Sequence, residues 1–190
     1  VSVVEVPPPG TEDVWRLISA AWADLGGSPS PDDVAAAVVR LLRHRPAAEI
    51  AAFAQPLWDL LAVSYRVDLW AAAYLINGGA SDDGFEYFRG WLIAQGRETF
   101  ERALADPDSL AVHPAVVAAA AEGEDLECED MLGVVWDAHR AATGGADLPA
   151  DSFVIRYPDL GPDWEFDFDD EDEMRRRLPR LMALYDEEDA

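Results

Sequence analysis

Residues 68–95, DLWAAAYLINGGASDDGFEYFRGWLIAQ, decide the fold class. Asp68 to Ile76 is apolar on every side, the composition of a helix buried among other helices rather than laid on a surface. Asn77-Gly78-Gly79 ends it, and Ser81 then stands at an N-cap with Asp82 and Asp83 in a first turn suited to the helix dipole. The helix that follows runs to about Gln95, with Phe85, Phe88 and Leu92 on one face and Asp82, Glu86 and Arg89 on another. Two abutting helices, one of them wholly apolar, predict a mainly α chain built as a helical bundle.

The pattern extends towards the N-terminus. Val3 to Pro9 is an extended lead-in, and Thr11, followed by Glu12 and Asp13, reads as the cap of a helix ending near Leu25. Its apolar positions are Val14, Trp15, Ile18 and Trp22, and Gly26-Gly27 stops it. Ser30 and Pro31 open a second helix with Val34, Val38, Leu41 and Leu42 as its stripe. Pro46 opens a third, through about Arg66, carrying Ile50, Phe53, Leu57, Trp58 and Leu61 inward; Pro56 predicts a kink or break in it.

Beyond Gln95, helices are expected at Arg97–Leu104, near Ala115–Ala121 and over Glu127–Thr143, the last with Met131, Leu132, Val135 and Trp136 apolar. The final forty residues change character. Phe153-Val154-Ile155 is β-prone, and Trp164, Phe166 and Phe168 alternate with Glu165, Asp167 and Asp169. This predicts a short extended or β segment near the C-terminus, either a hairpin or a strap with one face covered. Helical spacing resumes from Asp170 to Tyr185, divided by Pro179.

The chain has 190 residues, 38 acidic against 14 basic, a net charge of −24 and 50% apolar composition. That length buries a core without staples, and no linker or repeat interrupts it, so residues 1–190 are expected to form one domain, with a core over 11–144 and an acidic extension over 145–190. The charge concentrates late: 24 of the 38 acids, but only 6 Arg, lie in 106–190. Every basic residue is Arg. Schiff-base chemistry, a lysine general base and a P-loop lysine are therefore excluded.

The single cysteine, Cys128, rules out an intramolecular disulfide and a thiolate metal cluster. It also suits a reducing compartment. Residues 1–10 carry no basic region followed by an apolar one, and no apolar run reaches a membrane span. The expectation is a cytoplasmic protein with no membrane partner. No nucleic-acid partner is expected either, because the charge opposes phosphate, although an acidic surface imitating nucleic acid is a further possibility.

The order Trp70-Ala-Ala-Ala-Tyr74, Asn77-Gly78-Gly79, Ser81-Asp82-Asp83, Tyr87-Phe88-Arg89, Trp91-Leu92-Ile93 and Gln95-Gly96 resembles the bacterial domain-of-unknown-function family 4240. A second block, LECEDMLGVVWDAHRAATG over 126–144, extends the likeness to about residues 14–144. The family often has Cys where this chain has Ala80, so a thiol at that loop is not available here. The resemblance implies a shared helical fold and a shared site, without an activity, substrate or cofactor.

The densest polar cluster is Asn77, Ser81, Asp82, Asp83, Glu86 and Arg89, with Trp70 and Tyr74 beside it as candidate ligand-binding residues. Its carboxylates suit a divalent cation or acid–base work, and Arg89 suits an anion. The same residues equally suit helix capping and an i,i+3 pair. Gly90, inside a helix, suggests a close backbone approach. Trp58, Tyr65, Trp70, Tyr74, Phe85, Phe88 and Trp91 line either a pocket or the core.

Cys128 lies among Glu127, Glu129 and Asp130, which raises its thiol pKa, and His139 is too far along the same expected helix to pair with it. His44 and His113 read as a helix end and a turn, and three scattered His with one Cys make no metal site. The acidic run Asp163–Glu173 lacks the glycine and glutamate of a calcium loop. It is a solvated face or a docking strip for a basic protein.

Two functions stay open. One is a non-catalytic interaction or accessory protein with an acidic surface. The alternative is an enzyme, small-ligand or divalent-metal binder using Asn77–Arg89.

Overall fold

A computed structural model describes residues 7–185. Val3 to Val6 of the expected lead-in lie outside the described residues. Among the described residues eleven α-helices run in order: α1 Thr11–Leu25, α2 Pro31–Leu42, α3 Ala47–Ala52, α4 Ala54–Val63, α5 Val67–Ile76, α6 Asp82–Ala94, α7 Arg97–Ala105, α8 Pro114–Glu122, α9 Asp130–Thr143, α10 Glu171–Arg177 and α11 Pro179–Tyr185. The fold is mainly α, and no strand occurs among the described residues. None of their helices is long and apolar enough to cross a membrane.

The chain divides into two compact units, one of 7–60 with Asp130–Arg156 and one of Leu61–Glu129 with 157–185. In the first, α2 packs on α1 and α9, and α3 packs on α9. Val34, Val38 and Leu42 recur every fourth residue, which keeps them on one stripe, and all three are buried. Leu41 falls beside that stripe and is partly exposed, as is Trp136 on α9. The gap left between Val14, Ile18, Val38, Leu42, Met131 and Val135 is about 10 Å³, too small for more than one water.

Two expectations shift slightly. The cap of α1 is Gly10, not Thr11: the Asp13 carboxylate accepts the Gly10 N–H at 2.9 Å. That bond holds the Asp13 carboxyl below the usual range. The Pro56 break falls at Phe53, between α3 and α4. Proline offers Ala52 no N–H, and its ring crowds that carbonyl, so α3 ends four residues before it.

Phe153-Val154-Ile155 runs extended without a strand partner. The Gln55 side chain takes that place, accepting the Val154 N–H at 2.7 Å and donating to the Val154 carbonyl at 3.3 Å. Trp58 stacks on Phe153, with centroids 5.3 Å apart.

In the second unit, α5 is the central helix, packed against α6, α8, α11 and a 3-10 turn over Pro107–Val112. Leu69, Ala71, Ala72, Ala73 and Ile76 are buried on it. Phe85, Phe88 and Trp91 of α6 are fully buried, so these three of the aromatic set are core.

Leu126–Glu129 is not helical, contrary to the expected start of α9. Two tertiary bonds hold it in place: Asn77 grips Leu126, and the Cys128 N–H donates to the Tyr87 carbonyl at 3.0 Å. Cys128 and His139 therefore do not share a helix.

Candidate functional site

The corner between α5 and α6 collects the residues the sequence singles out. Asn77 is the C-cap of α5, and its amide clamps Leu126 from both sides, accepting the N–H at 2.9 Å and donating to the carbonyl at 3.4 Å. Ser81 caps α6, accepting the Gly84 N–H at 3.2 Å. The Trp70 indole donates to the Ala80 carbonyl at 2.9 Å and its ring stacks on Phe85 at 4.8 Å. Gly78 and Gly79 take positive φ, which lets the backbone turn tightly between the two helices.

Arg89 follows a different course from Asp82 and Glu86. It is 3% exposed, turned inward beneath the helix, while Asp82 and Asp83 are exposed and Glu86 is half-buried. Its guanidinium donates to the Leu61 carbonyl at 2.6 Å and to the Phe85 carbonyl at 3.3 Å. It lies 4.9 Å from the Phe85 ring centroid and 5.2 Å from that of Tyr65. Burial lowers its pKa, and the Glu86 charge opposes that shift. Gly90 beside it is buried.

Carboxylates gather outside this corner. Glu129, then Asp83 and Glu86, raise the Tyr87 pKa together with partial burial. Glu127 lies against Gly84, with an oxygen 3.4 Å from where a Cβ would stand, and its carboxyl is raised by burial and by Asp125. Among the described residues no group of three or more His, Cys, Asp or Glu is placed to hold a metal ion. The corner therefore spends Asn77, Ser81, Trp70 and Arg89 on backbone groups and leaves Asp82 and Asp83 exposed, with Glu86 half-buried.

The acidic C-terminal segment forms a strap in the same unit. Its period-2 pattern survives without β structure: Trp164, Phe166 and Phe168 are half-buried, and Asp163, Glu165, Asp167 and Asp169 are exposed. The aromatic rings contact one another in series at 5.7 Å, and Phe168 meets Tyr74 at 5.6 Å. The Tyr74 hydroxyl donates to Asp169 at 2.6 Å, and that bond raises its pKa. Arg177 lies over Trp164 at 4.6 Å and over Phe166 at 4.8 Å. Neither Asp163, Glu165, Asp167 nor Asp169 is in an ion pair among the described residues.

Sequence reasoning placed Tyr74 beside the Asn77 cluster, whereas its hydroxyl partner is Asp169, ninety-five positions away. Tyr65 stands in the aromatic set and Leu61 among the inward residues, but nothing in the sequence marks either as holding Arg89. Asp159 and Asp163 did leave a signal: YPDLGPDW repeats a Pro-Asp pair at four-residue spacing over 157–164.

A family model described as protein of unknown function (DUF4240) matches residues 10–141. The match takes in the α5–α6 corner and ends before the strap. No curated protein and no solved structure matches the chain.

Proposed function

The chain belongs to the DUF4240 family, and we propose that this member is a non-catalytic interaction or accessory protein that meets a basic protein surface through its acidic strap. The strap carries the reading. Four outward carboxylates without ion-pair partners among the described residues are held on aromatic anchors, so a partner's cations meet a surface already in order and little entropy is lost on docking. The net charge of −24 steers cationic partners towards the protein.

The alternative, an enzyme or ligand binder at Asn77–Arg89, draws less support, because Arg89 is buried against carbonyls and Asn77 and Ser81 serve as caps. We take the 190 residues as one domain, since neither compact unit is a single stretch of chain. A lone buried thiol favours a reducing, cytoplasmic setting. The acidic charge disfavours nucleic acid as the partner.

The test is co-purification from a lysate of the source cells at about 50 mM salt, with elution near 300 mM, where screening shortens the reach of surface charge. Wild type should retain a basic protein that the Asp163→Asn/Glu165→Gln/Asp167→Asn variant does not. Equal retention by the two, or none by wild type, would sink the reading.

A further inference from the structure

The second unit holds a cleft of about 440 Å³ lined by Tyr65, Arg66, Asp68, Asp159, Asp163 and Trp164 among others. We propose that it receives an arginine side chain of the basic partner, an inference that rests on the interaction reading above.

Charge favours a cation. Arg66 is neutralised inside the cleft: it forks onto Asp68 at 3.1 and 2.6 Å and gives its remaining terminal nitrogen to the Leu104 carbonyl. Asp68 is used up by that fork and by the Leu69 N–H. Asp159 and Asp163 are exposed and have neither an ion pair nor a hydrogen-bond partner for their carboxylates among the described residues. The cleft thus presents two uncommitted negative charges.

The walls favour a planar cation. Tyr65 and Trp164 are both half-buried. A guanidinium stacks on aromatic faces and forks onto carboxylates, whereas an ammonium is a compact, strongly hydrated point charge. Both rings already accept guanidinium groups within the chain, from Arg89 on Tyr65 and Arg177 on Trp164. A metal ion is disfavoured, because among the described residues no three carboxylates converge there.

The experiment is calorimetric titration with hexa-arginine and hexalysine peptides at low salt. It compares wild type, a cleft variant (Asp159→Asn/Asp163→Asn) and a strap variant (Glu165→Gln/Asp167→Asn) that loses the same charge outside the cleft, with melting curves to check folding. Hexa-arginine should bind wild type, weaken about tenfold in the cleft variant and no more than about threefold in the strap variant. Hexalysine should bind wild type at least about fivefold more weakly than hexa-arginine. Equal losses in the two variants, or equal affinity for the two peptides, would overturn the arginine cleft and leave the strap reading standing. No binding of either peptide to wild type would overturn both.

Discussion

Asp108 and Arg180 join the 3-10 turn to the last helix of the second unit. Asp108 is 4% exposed, and its carboxylate accepts the backbone N–H groups of Arg180 at 3.1 Å and Leu181 at 2.9 Å, as well as the Arg180 Nε at 2.9 Å. Pro179 opens α11 without an N–H, so the next two amides are orphans unless a distant acceptor meets them. Asp108, seventy-two positions upstream, is that acceptor, and Arg180 also reaches Asp106.

Asp108→Ala is expected to cost about 2–4 kcal/mol, since it leaves the backbone N–H groups of Arg180 and Leu181 unmet, while the Arg180 guanidinium keeps Asp106. Asp108→Asn keeps one acceptor oxygen and should lose less. Urea unfolding measures both; a loss under about 1 kcal/mol for the alanine variant would mean water replaces the carboxylate.

Arg89→Lys should destabilise the fold more than Arg89→Met. Lysine keeps the buried charge but loses the planar stack on Tyr65 and Phe85, whereas methionine fills similar volume without a charge to desolvate. About 2 kcal/mol is expected for the first and under about 1.5 for the second. The reverse order would show that the guanidinium's charge is the stabilising element.

Asn77→Ala removes both bonds to Leu126 and should cost about 1–2 kcal/mol. The loss is local. Amide exchange at Leu126 and Cys128 should quicken, with α2 and α9 unchanged; uniform quickening would contradict the assignment.

His113 supplies a pH dependence. Its Nδ1 accepts the Ala115 N–H at 3.3 Å as the cap of α8, and burial, with Arg102 adding, lowers its pKa below 6.5. From pH 6.5 downward the unfolded chain takes up this proton before the folded one. The contribution is thus complete above 6.5, falls as pH drops, and is gone once pH passes the folded pKa. Unfolding free energy measured from about pH 7.5 to about 5.5 should fall more steeply for wild type than for His113→Asn, whose carbonyl keeps the cap. Parallel curves would remove His113 from the account.

Local pattern made most helices legible. Ser81 and Ser30 cap where spacing puts them, Pro179 divides α10 from α11, and Asp68–Ile76 is central because it is apolar all round. The candidate cluster was legible as a neighbourhood and not as geometry. Asp82, Glu86 and Arg89 share a helical stripe, yet the long arginine side chain bends back under the helix towards the Leu61 carbonyl, and burial there lowers its pKa against the opposing charge of Glu86.

By itself the sequence determined the α class, the caps and breaks, the absence of lysine and the alternation of acid with aromatic in the strap. All of these depend on neighbours within about one helical turn or on counting. Tertiary structure alone decided that Leu126–Glu129 stays out of the helix, that Asp108 caps a helix seventy-two positions away, that Tyr74 meets Asp169, and that Tyr65 and Trp164 share a cleft with Asp159 and Asp163. The physical reason is that a hydrogen bond or ring contact depends on distance in space. Which remote segment supplies the partner is settled only when the buried helices set the chain's path.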